Sequence, residues 1–221
     1  MDYKIYGRDF IILKAKGQSS VTNIGLSILN QKFDFLEEVI ATETEILLKL
    51  SSEFEISDLK RLSEVELVAT RNARTLELPI QFQESDDWNR VTELTGMTEQ
   101  AYKEQILKTK FTVGMFGFLP GFIYMNGLAS ELQVPRKKVP DKYIPKNSVA
   151  VGGKYMGIYS LPSPGGWSVI GRTPLSIMDI NEMPPSLLEL ADQISLVNIF
   201  QPEYQDLLNS ELNILTYNGL T

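Results

Sequence analysis

The residue types in this chain best suited to handling an anion gather in two neighbouring motifs, Ser163-Pro164-Gly165-Gly166-Trp167 and Arg172-Thr173. Paired glycines let a ligand or another backbone come close, and their amides can converge on negative charge. Trp167 would give such a loop an aromatic wall. The plainer alternative is a tight turn between two strands. At Arg172 a planar guanidinium supported by the Thr173 hydroxyl suits a carboxylate or phosphate. The same guanidinium would serve equally well in an internal salt bridge that ties two strands. Upstream, Arg136, Lys137, Lys138, Lys142 and Lys146 form a basic run on a chain of formal net charge −7. That run could hold an acidic substrate, a nucleotide or an acidic partner surface; charge runs are more often solvated loops. Asp179 offers a carboxylate near these motifs or, more plainly, a turn.

The chain contains no histidine and no cysteine. This excludes a Ser-His-Asp triad, a Cys-His pair, an imidazole proton shuttle, a histidine-held metal and disulfides. Chemistry is left to carboxylates, lysine, tyrosine, hydroxyls, arginine and backbone donors. No residue stands out as a catalytic base, and no metal ligands are expected.

The motifs lie in one stretch, 111–185, which holds ten of the chain's 15 glycines and nine of its 11 prolines. Such punctuation leaves room only for short extended pieces joined by tight turns. Runs rich in Val, Ile, Tyr and Phe at Phe111–Val113, Ser148–Val151, Met156–Leu161 and Trp167–Ile170 supply the strands. A compact β-barrel with functional loops is expected. Phe116, Phe118, Phe122 and Tyr124 alternate around a Pro-Gly break, a pattern of core and cavity lining. Gly117, Pro120 and Gly121 shape the turn. Tyr155 and Tyr159 join Phe118, Pro120, Gly121 and Tyr124 as residues expected to shape a pocket.

The first third reads differently. Strands at Phe10–Lys16, Glu38–Thr42, Glu45–Leu50 and Glu66–Thr70 enclose two helices, capped by Ser20 and Ser57. Val21, Ile24, Ile28 and Leu29, then Leu59, Leu62 and Val65, have helical spacing. The order β-α-β-β-α-β predicts a small ferredoxin-like α/β domain over 1–72. In 73–221, Leu76, Leu78 and Ile80 alternate around Pro79, which predicts an opening or edge strand. Ser85-Asp86-Asp87 caps a short helix through Trp88, Val91 and Leu94 that Gly96 stops, and Thr98 begins another running to Lys108. Ile194–Phe200 closes the barrel, Gln201–Leu208 is helical and Asn213–Tyr217 is a last strand. The fold class is α+β, a small α/β domain followed by a β-barrel domain.

Bulk properties narrow the setting. The net charge of −7 and a pI near 4.8 argue against nucleic acid as a main partner, which would demand a basic face. The opening residues lack the basic, apolar, small-residue order of a secretory signal, so none is expected. Its most apolar window, Val113–Met125, is too short for a bilayer span and is broken by glycine and proline. A cytoplasmic protein without membrane partners is expected.

Gly117-Phe118-Leu119-Pro120-Gly121-Phe122-Ile123-Tyr124, Gly127-Leu128, Pro135-Arg136, Gly157-Ile158-Tyr159, Ser163–Trp167 and Ile170-Gly171-Arg172-Thr173-Pro174 resemble a known family in order and spacing. The family is the B subunit of prokaryotic 5-oxoprolinase, also called allophanate hydrolase subunit 1, and it includes an inhibitor of a sporulation sensor histidine kinase. The resemblance implies a cyclophilin-like barrel of carboxyltransferase-domain type, with the Ser163–Trp167 loop beside its pocket. It implies ATP-dependent hydrolysis of 5-oxoproline to glutamate. ATP with Mg2+ enters at the level of a complex that also holds the enzyme's C-type subunit, a second barrel protein, and its A-type subunit. Substrate or anion binding then falls to Arg136, Ser163, Gly165, Gly166, Trp167, Arg172 and Thr173. The chain departs from the pattern at Ile106, where members usually have histidine, and at Pro140-Asp141, where many have a second Pro-Arg. It departs again at Tyr155 and Met156, where glutamine and threonine are usual. Lost polar groups weaken catalysis more than folding. Two other readings therefore stay open: a regulatory module inhibiting a sensor histidine kinase, and a scaffold subunit with a degenerate pocket.

Overall fold

The computed structural model describes residues 2–14, 18–65, 73–82, 86–182 and 184–220. The chain divides into two compact units, one of residues 1–73 with 114–116 and one of 74–113 with 117–221.

In the first unit β1 (Asp2–Tyr6), β2 (Phe10–Lys14), β3 (Leu36–Ala41) and β4 (Glu45–Leu50) form an antiparallel sheet in the order β1-β2-β4-β3. Period-two alternation sends Ile11, Leu13, Ile46 and Leu48 to its buried face. Helix α1 (Gln18–Gln31) lies on β3 and β4 and buries Val21, Ile24 and Ile28, while α2 (Asp58–Ser63) buries Leu62. Among the described residues the run β2-α1-β3-β4-α2 follows the expected order, with β1 added ahead of it. The place beside β2 that a ferredoxin-like sheet gives to its last strand is taken by β1. That strand has no counterpart in the sequence expectation because all five of its residues are exposed and no apolar face marks it. The expected strand Glu66–Thr70 lies outside the described residues, as do Ala15, Lys16 and Ser85. Ser20 sits inside α1 rather than ahead of it. Ser57 precedes α2 but is itself helical and makes no side-chain cap; its hydroxyl donates to Glu55 at 3.3 Å.

In the second unit β5 (Thr75–Phe82) leads to α3 (Asp86–Thr95), α4 (Glu99–Lys108), β6 (Lys110–Phe116, its last three residues counted with the first unit) and β7 (Ile123–Asn126). Then come β8 (Asp141–Ile144), β9 (Ser148–Gly152), β10 (Tyr155–Ile158), β11 (Ser163–Gly165), β12 (Ser168–Arg172) and β13 (Gln193–Asn198), with α5 (Gln201–Asn209) and α6 (Ile214–Tyr217). A closed barrel runs β10-β7-β6-β13-β5-β12-β9, and β8 with β11 forms a separate two-stranded ribbon. Leu78, Ile80, Val149, Val151, Ile158 and Ile170 are fully buried. Gly96 ends α3 at φ 69°, and Thr98 caps α4 by accepting from the Ala101 N–H at 3.2 Å.

Two expectations are corrected. β5 opens the second unit, as one alternative had it, but it is no edge: it pairs in parallel with β13 and antiparallel with β12. Pro79 is tolerated because only Gln81 and Phe82 pair with β12, so no bond on that side is lost. Asn213–Tyr217 is not a strand but the N-cap and the four residues of α6. The Asn213 side chain accepts from the Leu215 and Thr216 N–H groups, both at 2.9 Å, and Thr216 Oγ1 accepts from the Asn213 N–H at 3.0 Å. That reciprocal cap outweighs the strand-like composition of a four-residue piece.

Candidate functional site

The turn from Gly117 to Phe122 leads into β7. Leu119 N–H donates to the Gly117 carbonyl at 2.9 Å and Phe122 N–H to the Leu119 carbonyl at 3.0 Å. Gly121 takes φ 71°, as a turn glycine should. Phe118 takes φ 69° and is 60% exposed. A bulky residue held there costs on the order of 1–3 kcal/mol, the kind of strain found where a side chain is presented for use.

Strands β7, β10, β9 and β12 stand side by side, and their register builds one face. Tyr124 lies opposite Gly157, Gly157 opposite Ala150, and Tyr155 opposite Gly152. The two glycines clear a floor for Trp167. A Cβ on Gly152 would come 2.4 Å from the indole Cδ2, and one on Gly157 2.8 Å from its Cζ3. Phe122 and Tyr124 meet the indole edge-on at 5.6 and 5.4 Å between centroids, and Tyr155 meets Tyr124 in the same way at 5.7 Å. Phe118 extends the cluster through Phe122 and Tyr159. The Arg136 guanidinium stands over Trp167, 5.5 Å from its ring centroid, and Lys154 Nζ stands 5.4 Å from the centroid of Tyr155. Two cations thus flank a row of three rings, Trp167, Tyr124 and Tyr155. Each is attracted by the negative face of its ring. Trp167 is 4% exposed, so it is a platform under Arg136 rather than the open wall expected from the sequence.

Burial raises the phenols of Tyr124 and Tyr155 above their ordinary range, partly offset by the positive charge of Arg136. Tyr159, buried against Phe122, is pushed up to about 12 by burial, against a hydrogen bond with the Trp167 backbone. All three stay protonated near neutral pH.

The ribbon ties the glycine loop to this face. Ser163 pairs with Ile144 and Gly165 with Asp141. A Cβ on Gly165 would lie 2.2 Å from Tyr159 Oη. The Gly166 carbonyl accepts from the Lys137 N–H at 2.7 Å. Lys137 Nζ sits 2.5 Å from both Asp87 Oδ1 and Asp141 Oδ2. Burial disfavours the Lys137 charge, but the two carboxylates outweigh it and hold the ammonium above its ordinary range. The charge reversal at Asp141 therefore has a structural partner. The basic run does not act as one patch: Lys137 is internal, Arg136 lies on Trp167, and Lys138 and Lys142 are exposed.

Arg172 does not join this group. Trp167 flanks Gly152 and Arg172 pairs with Ser148, so about 13 Å of strand separates the two positions. Its Nη2 donates to the Lys146 carbonyl at 3.1 Å, a tie to backbone rather than the salt bridge considered from the sequence. Thr173 is fully buried, and its Oγ1 accepts from the Leu175 N–H at 3.3 Å. The Ser163 hydroxyl is buried with no partner among the described residues. Asp179 Oδ1 accepts from the Asn181 N–H at 2.9 Å, the turn-forming alternative. Ile106 is fully buried on α4, where it serves the core. Nothing in the sequence marks Gly152 or Lys154 as part of the site; Gly157 enters only within the motif Gly157-Ile158-Tyr159, and Asp87 only as a helix-cap residue. Glycines inside strands were the available signal for Gly152 and Gly157.

A family model described as carboxyltransferase domain, subdomain C and D, matches residues 2–188. The chain belongs to this carboxyltransferase-domain family. Over 147 residues it is 31% identical to the 5-oxoprolinase B subunit of Bacillus subtilis (strain 168), an alignment covering 66% of this chain and 61% of that protein. With the 5-oxoprolinase B subunit of Haemophilus influenzae it shares 33% over 132 residues, 59% of this chain and 62% of the relative. The match spans less than two thirds of either relative. The crystal structure of TTHA0988 superposes with a TM-score of 0.77 at 26% identity, covering 87% of this chain and 41% of that one. Every element of the aromatic face, β7 to β12, falls inside the carboxyltransferase-domain match. Among the described residues no helix is long and apolar enough to cross a membrane.

Proposed function

We propose that this carboxyltransferase-domain chain is one component of a cytoplasmic, ATP-dependent 5-oxoprolinase, a hydrolase that opens the 5-oxoproline lactam to glutamate. In this reading it works with the enzyme's C-type barrel subunit and its A-type subunit. The names of its relatives support a 5-oxoprolinase system. The observation that carries the reading is Arg136 laid over Trp167 beside Tyr124 and Tyr155. A flat ring bearing one carboxylate would find a guanidinium for its charge and aromatic edges for its ring. The neutral phenols would donate to the lactam oxygen as negative charge develops there. No base is assigned on this chain.

ATP with Mg2+ is assigned to the complex, and no step is routed through it on this chain. The test combines the purified chain with the other two subunits, ATP and 5-oxoproline, and follows glutamate. Release is expected only from the full mixture. Arg136→Ala should lower it by about tenfold or more, since a charged hydrogen bond is worth ~1.5–3 kcal/mol. Glutamate from the isolated chain would refute its role as one part of a complex, and full activity with Arg136→Ala would refute the substrate role of the aromatic face.

A further inference from the structure

Helix α3 presents Asp87 and Arg90, one turn apart, to a single stretch of chain. Arg90 Nη2 donates to the Pro135 carbonyl at 2.9 Å and, more weakly, to the Arg136 carbonyl at 3.4 Å. Asp87 Oδ1 holds Lys137 Nζ at 2.5 Å, and its Oδ2 accepts from the Val169 N–H at 2.8 Å. Lys137 is held by Asp141 as well, and its own N–H binds the Gly166 carbonyl next to Trp167. One helix thus grips the chain on both sides of Arg136, at the Pro135 carbonyl and at the Lys137 side chain, and it also grips the strand that follows Trp167. The Arg136 side chain is exposed and has no carboxylate partner among the described residues; the Trp167 ring is its contact. An arginine carries about 2 kcal/mol of rotamer entropy, so an exposed one holds a fixed pose only if its backbone is fixed.

We propose that α3 is a clamp that holds Arg136 over Trp167, and that Asp87 and Arg90 are positioning residues for a flat carboxylate ligand. This rests on the reading of the aromatic face as a substrate subsite. Neither residue touches the ligand; each acts by setting where the guanidinium stands.

The test titrates the full chain with pyrrole-2-carboxylate, a planar five-membered ring acid, by calorimetry. Arg136→Ala should weaken binding about thirtyfold, the loss of one charged hydrogen bond. Arg90→Ala should weaken it about five- to tenfold with a melting temperature shift of only a few degrees. The decisive readout is the double variant. If Arg90 acts through Arg136, Arg90→Ala in the Arg136→Ala background adds no further loss, whereas a general structural role would add its full effect. Additive losses, or wild-type binding by Arg90→Ala, would overturn the clamp and leave the subsite standing. Wild-type binding by Arg136→Ala, or no binding by the unaltered chain, would overturn the subsite itself. Should Arg90→Ala fail to fold, Arg90→Lys is measured in the same cycle. It keeps the charge but loses the planar fork, so weakened binding supports the clamp and unchanged binding refutes it.

Discussion

Gly165 carries no side chain because the Tyr159 hydroxyl occupies the place where one would be, 2.2 Å from an added Cβ, with Ile144 Cδ1 at 2.7 Å. Gly166, next to it, has nothing nearer than the Lys137 carbonyl at 3.5 Å. The paired glycines thus answer two different demands, and a pair of substitutions separates them. Gly165→Ala should destabilise the protein by about 1–3 kcal/mol, because a buried tyrosine must move. Gly166→Ala should cost well under half as much. Thermal melts of both variants check this, and equal losses would contradict the packing described. The sequence shows the motif but not this division, which depends on a tyrosine arriving from β10's end. Trp167 was legible as an aromatic at the site and not as a buried platform, because its floor is two glycines on other strands. The reversal at Asp141 was legible as a charge. Its meaning needed Asp87, far back along the chain, to share Lys137.

Pairing of β5 with β13 begins at a buried ion pair. Arg74 Nε donates to Asp192 Oδ1 at 2.9 Å, its Nη2 bonds Asp192 Oδ2 and the Leu187 carbonyl, and Asp192 is 3% exposed. The Arg74 carbonyl accepts from the Gln193 N–H at 2.8 Å, which starts the parallel register. Arg74→Ala would leave a buried carboxylate without its partner, so a loss of about 3–5 kcal/mol is expected in urea unfolding. Replacing both, Arg74→Met with Asp192→Leu, should recover most of that loss, since removing the pair is far cheaper than breaking it. A loss below about 1 kcal/mol for the single variant would mean the pair behaves as a surface one. Elements were legible where punctuation and apolar period agreed, as in α3, α4, β9 and β12. They were misread where a local device decided: the Asn213 cap turned a strand-like run into α6, and an exposed β1 gave no apolar signal. Which strands pair was beyond the sequence, because Arg74 and Asp192 meet only in the closed barrel.

Across the whole molecule, the absence of histidine and cysteine shapes the response to pH. No side chain in its ordinary state titrates between the carboxylates and the lysines and tyrosines, so stability should be level from about pH 6 to 9. The alkaline side is different, and its sign follows from the raised groups. Burial lifts the phenols of Tyr102, Tyr124, Tyr155 and Tyr159, and Lys137 is raised despite burial by its two carboxylates. Tyr159 moves from 10.0 to about 12, so above pH 10 the unfolded chain releases a proton that the folded chain keeps. Its contribution is complete below 10 and is lost as pH climbs towards 12. Lys137 is raised above its ordinary 10.5, and the same reasoning places its loss above that value. The slopes have the same sign, and growing net negative charge adds self-repulsion. Melting temperatures measured from pH 6 to 11.5 should be flat and then fall from about pH 10. Tyr159→Phe, which keeps the ring and removes the titrating hydroxyl, should be less stable near neutral pH but show a shallower alkaline fall. An equally steep fall in that variant would show that the alkaline limb does not come from the Tyr159 phenol, and a step between pH 6 and 8 would require a titrating group that none of these residues provides.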